Sequence, residues 1–328
     1  MSGAVDLAIL IPTFRGRESL PRLFDSLVRM RRVPAFRVQI VVIDNNSPDD
    51  TRSLVRQWQP RIAELEYLFH AEPGKCHALN AGLAASSARW VAFLDHDVEV
   101  DEAYLEGIHR AVTMNPDFHV FGGRILADRG EALPYWVNRG QAMKNSRGGI
   151  IAHDYGDENR AYDASMRLPV GANFFCQRDL FDRVGPFDVR LGPRPGAQIA
   201  GEESELLHRF MSAGERILYC ADAAVHHPIV RERVSKRYFR YRHFCDGRAG
   251  CLVVQGSGSF RSIFGVPIYL FKATLKSLYS WVTSLARFDA YEIFNCELEL
   301  WYYLGAMYQY RLRSVAAPRD TVGSANGI

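Results

Sequence analysis

The stretch Trp90-Val-Ala-Phe-Leu-Asp-His-Asp97 decides the fold. Five apolar residues followed at once by two carboxylates read as a buried strand that stops at a polar crevice. Open α/β sheets bind ligands beyond the carboxyl ends of their strands. Asp95 and Asp97 therefore stand where such a sheet presents its chemistry. Two carboxylates one residue apart on a rigid strand can clamp a hard divalent cation that also bridges a diphosphate. The D-x-D pattern alone is common by chance, and its weight comes from what lies on either side.

Upstream, apolar runs alternate with helical spacings, the signature of a parallel sheet with crossover helices. Leu7–Ile11 reads as a first strand closed by Pro12-Thr13, and Leu20, Leu23, Phe24, Leu27 and Val28 recur at helical spacing. Val38–Ile43 reads as a second strand running into Asp44-Asn45-Asn46-Ser47-Pro48-Asp49-Asp50, a turn followed by a helix start. Leu65–Phe69 is a third strand, Cys76–Ala85 a short helix and Trp90–Leu94 the fourth strand.

Downstream, Asp128–Leu168 reads as irregular loops over a site. Regularity returns at Leu168–Cys176 and Asp179–Val184, followed by the turn Gly185-Pro-Phe-Asp188. Leu191–Ala200, with two Gly and two Pro, suits a mobile flap. From Glu203, the spacing of Leu206, Leu207, Phe210 and Met211 marks an amphipathic helix, and Arg216–Cys220 a final strand. The last 90 or so residues read as an aromatic-rich helical appendage, broken around Gly256-Ser-Gly258 and Pro267. The expected division is 1–230, its nucleotide-binding half about 1–127 and its acceptor half about 128–230, followed by 231–328.

A chain of 328 residues, 48% hydrophobic and 23% charged, can bury a full core and is not disordered. A formal net charge of +3 is too mild to point to nucleic acid, and no nucleic-acid partner is expected. Six cysteines without a C-x-x-C pair argue against a zinc site and a disulfide framework, and for a reducing, cytoplasmic compartment. The opening residues do not read as a secretory signal. Nothing reaches the roughly 18 apolar residues of a spanning helix; Lys272 and Lys276 interrupt the nearest approach, Ile263–Leu285. Aromatic and basic residues interleaved there suit a membrane surface as well as an ordinary packing face. Oligomeric state stays open.

The ordered strings Ile9-Leu-Ile-Pro-Thr-Phe14, Val41-Val-Ile-Asp-Asn-Asn46, Pro73-Gly-Lys-Cys-His-Ala-Leu-Asn80, Phe93-Leu-Asp-His-Asp97, Gly171-Ala-Asn173, Gly185-Pro-Phe-Asp188 and Gly201-Glu-Glu-Ser-Glu-Leu206 resemble family 2 glycosyltransferases. The resemblance covers roughly residues 7 to 245 and implies the GT-A fold, a mostly parallel sheet flanked by helices. It implies a nucleotide-sugar donor, most readily a UDP-sugar, and a glycan, lipid-linked or small-molecule acceptor. It implies a nucleotide pocket lined by Pro12, Thr13, Arg15, Asp44 and Asn46, with Lys75 on the phosphates and Asn80 beside the acidic loop. Asp97 would hold Mn2+ or Mg2+, Asp95 and His96 would approach the donor, and His227 would add a further metal ligand. Glu203 is the implied base for inverting transfer, helped toward ionisation by the helix start, with Glu202 as its substitute.

Each residue also has a bland reading: Asp44 as a turn or cap residue, Lys75 as a solvated cation, His227 as a structural strand-end histidine, the acidic run as a helix-dipole decoration. The Q-x-x-R-W signature of processive synthases is absent, so one sugar per event is expected. A non-catalytic relative and a sugar nucleotidyltransferase are the rival readings; the latter lacks its Gly-rich first loop here.

Overall fold

In the computed structural model, the described residues are 5–128, 133–137, 145–195, 197–253 and 261–316. The chain divides into two units, 1–242 and 243–328.

The first unit is built on one mixed sheet. Its strands are β1 (Leu7–Thr13), β2 (Val38–Asp44), β3 (Leu65–Phe69), β4 (Trp90–Leu94), β5 (Glu99–Val100), β6 (Val120–Ala127), β7 (Asn145–Arg147), β8 (Ile150–His153), β9 (Arg160–Ala161), β10 (Asn173–Gln177) and β13 (Ile217–His227). The order is β3-β2-β1-β4-β10-β6-β13-β5. The β3-β2-β1-β4 half is parallel throughout, and β10 enters antiparallel between β4 and β6. A hairpin of β11 (Gly192–Arg194) and β12 (Ala197–Ile199) stands apart from the sheet.

Why these strands are continuously apolar is visible in their two faces. In β1, Leu7, Ile9 and Ile11 join one core layer while Ala8 and Leu10 join the other. In β4, Ala92 and Leu94 belong to the first layer and Val91 and Phe93 to the second. A strand covered on both faces has no reason to alternate with polar residues. The helices Leu20–Arg29 and Tyr104–Met114 cover one face, and Lys75–Ala85 and Glu202–Ser212 the other. Phe93 stacks on Phe174 at 4.6 Å, and burial of a ring that size is worth about 1.5–3 kcal/mol.

Asn173 knits the β10 insertion in place. Its amide nitrogen donates to the carbonyls of Arg124 and Ala223, both at 2.9 Å, and its oxygen accepts from the Tyr104 hydroxyl at 3.1 Å. Gly123 makes room for it: a Cβ there would lie 2.3 Å from the Asn173 amide nitrogen.

Several sequence expectations need adjustment. The final strand runs to His227, not Cys220, because an irregularity between Cys220 and Ala224 lets it resume pairing with β6. The region 128–168 carries β7, β8 and β9, strands of only two to four residues, too short to show a periodic pattern. Leu191–Ala200 holds the β11–β12 hairpin. Val28 and Met211, placed on apolar helix faces by spacing, are 39% and 46% exposed.

The second unit has the helices Ile268–Ser284 and Ala290–Ala316 and the end of Lys236–Val253. A short hairpin, β14 (Ser262–Ile263) and β15 (Val266–Pro267), accounts for the break at Pro267, while Gly256-Ser-Gly258 lies outside the described residues. Gly247 and Gly305 permit close helix contact, since a Cβ at either would fall about 2 Å from a carbonyl oxygen, of Tyr302 and Phe244 respectively. No helix among the described residues is long and apolar enough to cross a membrane.

Candidate active site

The carboxyl ends of β1, β2 and β4 open into a cavity of about 420 Å3, a size that suits a small organic ligand. The β1 and β2 ends are in register at Thr13 and Asp44 and are sewn together beyond it. Asn45 N donates to the Thr13 carbonyl at 2.8 Å, and Arg15 N to Ser47 Oγ at 2.9 Å. Arg15 and Asn46 take the left-handed backbone region, φ 57° and 60°, which asparagine adopts readily and arginine does not, so the turn at Arg15 leans on these bonds. Thr13 reaches the cavity with its hydroxyl buried and unpartnered among the described residues.

Asn45 then positions the next segment. Its oxygen accepts from Gly74 N and its amide donates to the Glu72 carbonyl, each at 2.6 Å. This fixes the start of helix Lys75–Ala85 and delivers Lys75 to the cavity floor. The Lys75 ammonium donates to Asp95 Oδ1 at 2.7 Å and lies 3.3 Å from Glu202 Oε1. Burial works against the charge on Lys75, but Asp95 and Glu202 outweigh it and hold the pKa above the ordinary lysine value. Burial likewise opposes the charge on Asp95; Lys75 prevails and keeps it low.

Asp97 lies on the other side of the D-x-D pair. Its Oδ1 is 3.6 Å from His227 Nε2, and the ligand atoms of Asp95, Asp97 and His227 all fall within 4.8 Å of one another. His227 Nδ1 donates to the Pro228 carbonyl at 3.0 Å, which leaves the Nε2 lone pair of the neutral ring for a cation. Two carboxylates and an imidazole so oriented fit a divalent ion. His226, next along β13, faces away toward Asp101. His96 Nδ1 donates to the Pro12 carbonyl at 3.3 Å and ties the two strand ends that line the donor side.

Glu202 and Glu203 enter from the first turn of helix Glu202–Ser212, after Gly201 in the left-handed region at φ 97°. Glu202 is 3% exposed, and its Oε2 has no hydrogen-bond partner among the described residues. Burial and then the charge of Glu202 push the Glu203 carboxyl up to about 8, against the pull of Lys75 and Arg242. Burial and the neighbouring carboxylate thus work against the help toward ionisation expected from the helix start. A helix terminus contributes at most about 2 kcal/mol, less than burial plus a neighbouring carboxylate cost here. Gly171 borders the group: a Cβ there would sit 3.5 Å from both Glu203 Oε2 and Lys75 Nζ.

The Glycosyl transferase family 2 profile matches residues 8–185, which is more than half of the chain. The chain belongs to this family. Among its relatives, the glycosyltransferase AglE of Haloferax volcanii is 24% identical over 228 residues, covering 68% of this chain and 66% of AglE. The succinoglycan biosynthesis protein ExoM of Rhizobium meliloti is 23% identical over 259 residues, 78% of each chain. The fold is that of the Pyrobaculum calidifontis mannosyltransferase PcManGT, solved with GDP-Man and Mn2+: TM-score 0.52 at 14% identity, over 96% of this chain and 77% of that one. A fragment of S. aureus TarS in complex with UDP-GlcNAc gives TM-score 0.51 at 14% identity, over 94% and 92%. The GT-A architecture, with its mostly parallel sheet and a helical C-terminal segment, is thus established.

Of the family 2 pattern residues, Pro12, Thr13, Lys75, Asp95, His96, Asp97, Glu202, Glu203 and His227 line the one cavity. Four others do not. Asp44 is 3% exposed and accepts from Tyr67 Oη at 2.7 Å and Ser47 N at 2.9 Å. Asn46 turns outward to the Ala71 carbonyl, and Arg15 is exposed over the Phe14 ring. Asn80 spends both ends of its amide on the Phe187 backbone, at 2.9 Å each, clasping the Gly-Pro-Phe-Asp turn to the helix. Asn45, Arg194, Arg233 and Tyr238 line the cavity without having been singled out by motif. Arg233 had a signal, since it closes the Arg-Glu-Arg segment after His227 and lies 4.0 Å from Asp97.

Proposed function

We propose that this cavity catalyses inverting transfer of one sugar from a nucleoside-diphosphate sugar, foremost a UDP-sugar, to a hydroxyl of a glycan or lipid-linked acceptor. The observation that carries the reading is convergence: a partly buried lysine, a D-x-D pair with an oriented histidine and an elevated carboxyl share one cavity of ligand size. The uridine nucleotide rests on the family resemblance, and the similar folds are known with both GDP-Man and UDP-GlcNAc.

Lys75 and Arg233 supply positive charge for the donor's diphosphate, and the backbone at Thr13 and Asn45 frames the nucleoside end. Asp95, Asp97 and His227 would hold a divalent cation, and the imidazole in the set favours Mn2+ over Mg2+. When bound, such an ion supplies charge neutralisation for the departing diphosphate. In the transfer, the acceptor oxygen bonds to the anomeric carbon as the bond to the nucleoside diphosphate breaks on the opposite face. The acceptor proton passes to the Glu203 carboxylate. Glu202, paired to Lys75, keeps the base environment negative and is the second candidate. The catalytic machinery lies in the unit 1–242, Arg233 included, with 243–328 accessory to it.

The unit beyond His243 carries a membrane-facing stripe. Leu275, Leu278, Tyr279 and Val282 recur at helical spacing and are 40–71% exposed, with Lys272 and Lys276 beside them. An apolar stripe with basic neighbours suits the surface of an anionic bilayer, where lipid-linked acceptors reside.

The test of the catalytic assignment is Glu203→Gln. Turnover should fall roughly 10²–10⁴-fold with donor affinity nearly unchanged. Wild-type turnover in that variant would remove Glu203 as the base.

A further inference from the structure

Directly after β3, eight residues bring His70, Glu72 and His77 together, and none of the three lines the donor cavity. Their ligand atoms all lie within 4.8 Å of one another. Glu72 Oε1 is 3.3 Å from His77 Nε2, and the two imidazole rings lie nearly parallel, 6.1 Å apart with 16° between planes. His70 Nε2 is sealed from solvent and has no hydrogen-bond partner among the described residues. Desolvating an imidazole nitrogen without a partner is unfavourable, and a bound cation would supply the missing partner.

We propose that His70, Glu72 and His77 form a second metal site, for a divalent transition ion of the zinc class, with its fourth position open to water. Two imidazoles and one carboxylate are a recurrent three-ligand set for that ion. Nitrogen donors in the majority select against Mg2+ and Ca2+, which take oxygen. Ligand atoms around one tetrahedral zinc are about 3.3 Å apart. The Glu72 side chain, 66% exposed, is free to close the remaining gap. The cysteine spacing speaks only against a thiolate site, and this set contains no thiolate.

The location gives the site a consequence. The same loop carries the Glu72 carbonyl and Gly74 N that Asn45 holds, and Lys75 lies between Glu72 and His77 in sequence. An ion joining His70 and Glu72 to His77 would pin the same turn through side chains as Asn45 pins it through backbone, and so fix the base of the Lys75 side chain.

The test is Zn2+ titration of the full chain carrying Asp97→Ala, which disables the cavity's own candidate cation site, with the bound metal counted by elemental analysis. One equivalent of Zn2+ should bind, weakened about tenfold or more by adding Glu72→Gln and lost on adding His77→Ala. Co2+ in place of Zn2+ should show visible absorption bands that disappear with the same substitutions. If His77→Ala fails to fold by circular dichroism, Glu72→Gln, at a mostly exposed position, decides. No zinc bound by Asp97→Ala protein, or binding indifferent to Glu72→Gln, overturns the proposal. Neither readout uses glycosyl transfer, so this site and the catalytic reading fail or stand separately.

Discussion

Burial and the charge of Glu202 both oppose the ionised form of Glu203 and raise its pKa to about 8. A base acts in its deprotonated form, so kcat/KM should climb with pH and level off above about 8. A pH–rate profile reads this directly, and a flat profile between 6 and 9 would contradict it. The stability sign is opposite. A carboxyl raised in the fold stabilises fully below its unfolded value near 4.5, and that contribution is lost as pH rises through about 8. Glu203→Gln should therefore melt about 2–4 °C above wild type at pH 8.5, the mark of a residue kept for function. At this scale the sequence was informative where a motif names one residue: Lys75, Asp95, Asp97 and Glu203 all reach the cavity. It was less direct at Asp44-Asn45-Asn46, where Asn45 lines the cavity and Asn46 takes a left-handed turn. No periodicity encodes that turn.

Among the elements, the helix Tyr104–Met114 shows how tightly the sheet is covered. A Cβ on Gly107 would lie 2.5 Å from the Asp222 carbonyl carbon in β13, and backbone cannot step aside as a side chain can. Gly107→Ala should destabilise by about 1–3 kcal/mol in denaturant titration, despite alanine's better helix propensity. Stability equal to wild type would mean the helix sits further from β13. In β8, His153 is 1% exposed and bonded through Nε2 to the Tyr162 hydroxyl. Burial depresses its pKa to about 4. A histidine held neutral in the fold stabilises above its unfolded value near 6.5, and that contribution is lost as pH falls toward 4. Thermal melts should show stability dropping across that window, and His153→Phe should flatten the drop. An unchanged pH slope in the variant would exclude His153 as its source. The first four strands were legible because each is an apolar run between turn residues. The helix Tyr104–Met114 and β6 were not singled out, and β8 and β9, four and two residues long, are too short for a period to show.

At the scale of the whole molecule the chain forms two compact units. The first holds every residue assigned to chemistry. In the second, the exposed stripe on helix Ile268–Ser284 should bring the protein down with anionic vesicles in a sedimentation assay. Leu275→Glu with Leu278→Glu should abolish this and spare transfer to a soluble acceptor; equal pelleting of both proteins would refute the membrane role. The aromatic and basic composition of this segment was legible, but which residues stay exposed was not, because either face of the helix could have formed the core.

The central claim is that one cavity binds a nucleoside diphosphate through Asp97 and a cation. Calorimetric titration of UDP, with GDP and dTDP in parallel, into wild type with Mn2+, wild type with EDTA and Asp97→Ala tests it most directly. The account predicts that one of the nucleotides binds with Mn2+, and that EDTA or Asp97→Ala weakens it on the order of 100-fold. Nucleotide binding indifferent to both, or no binding of any of the three with Mn2+, would contradict it.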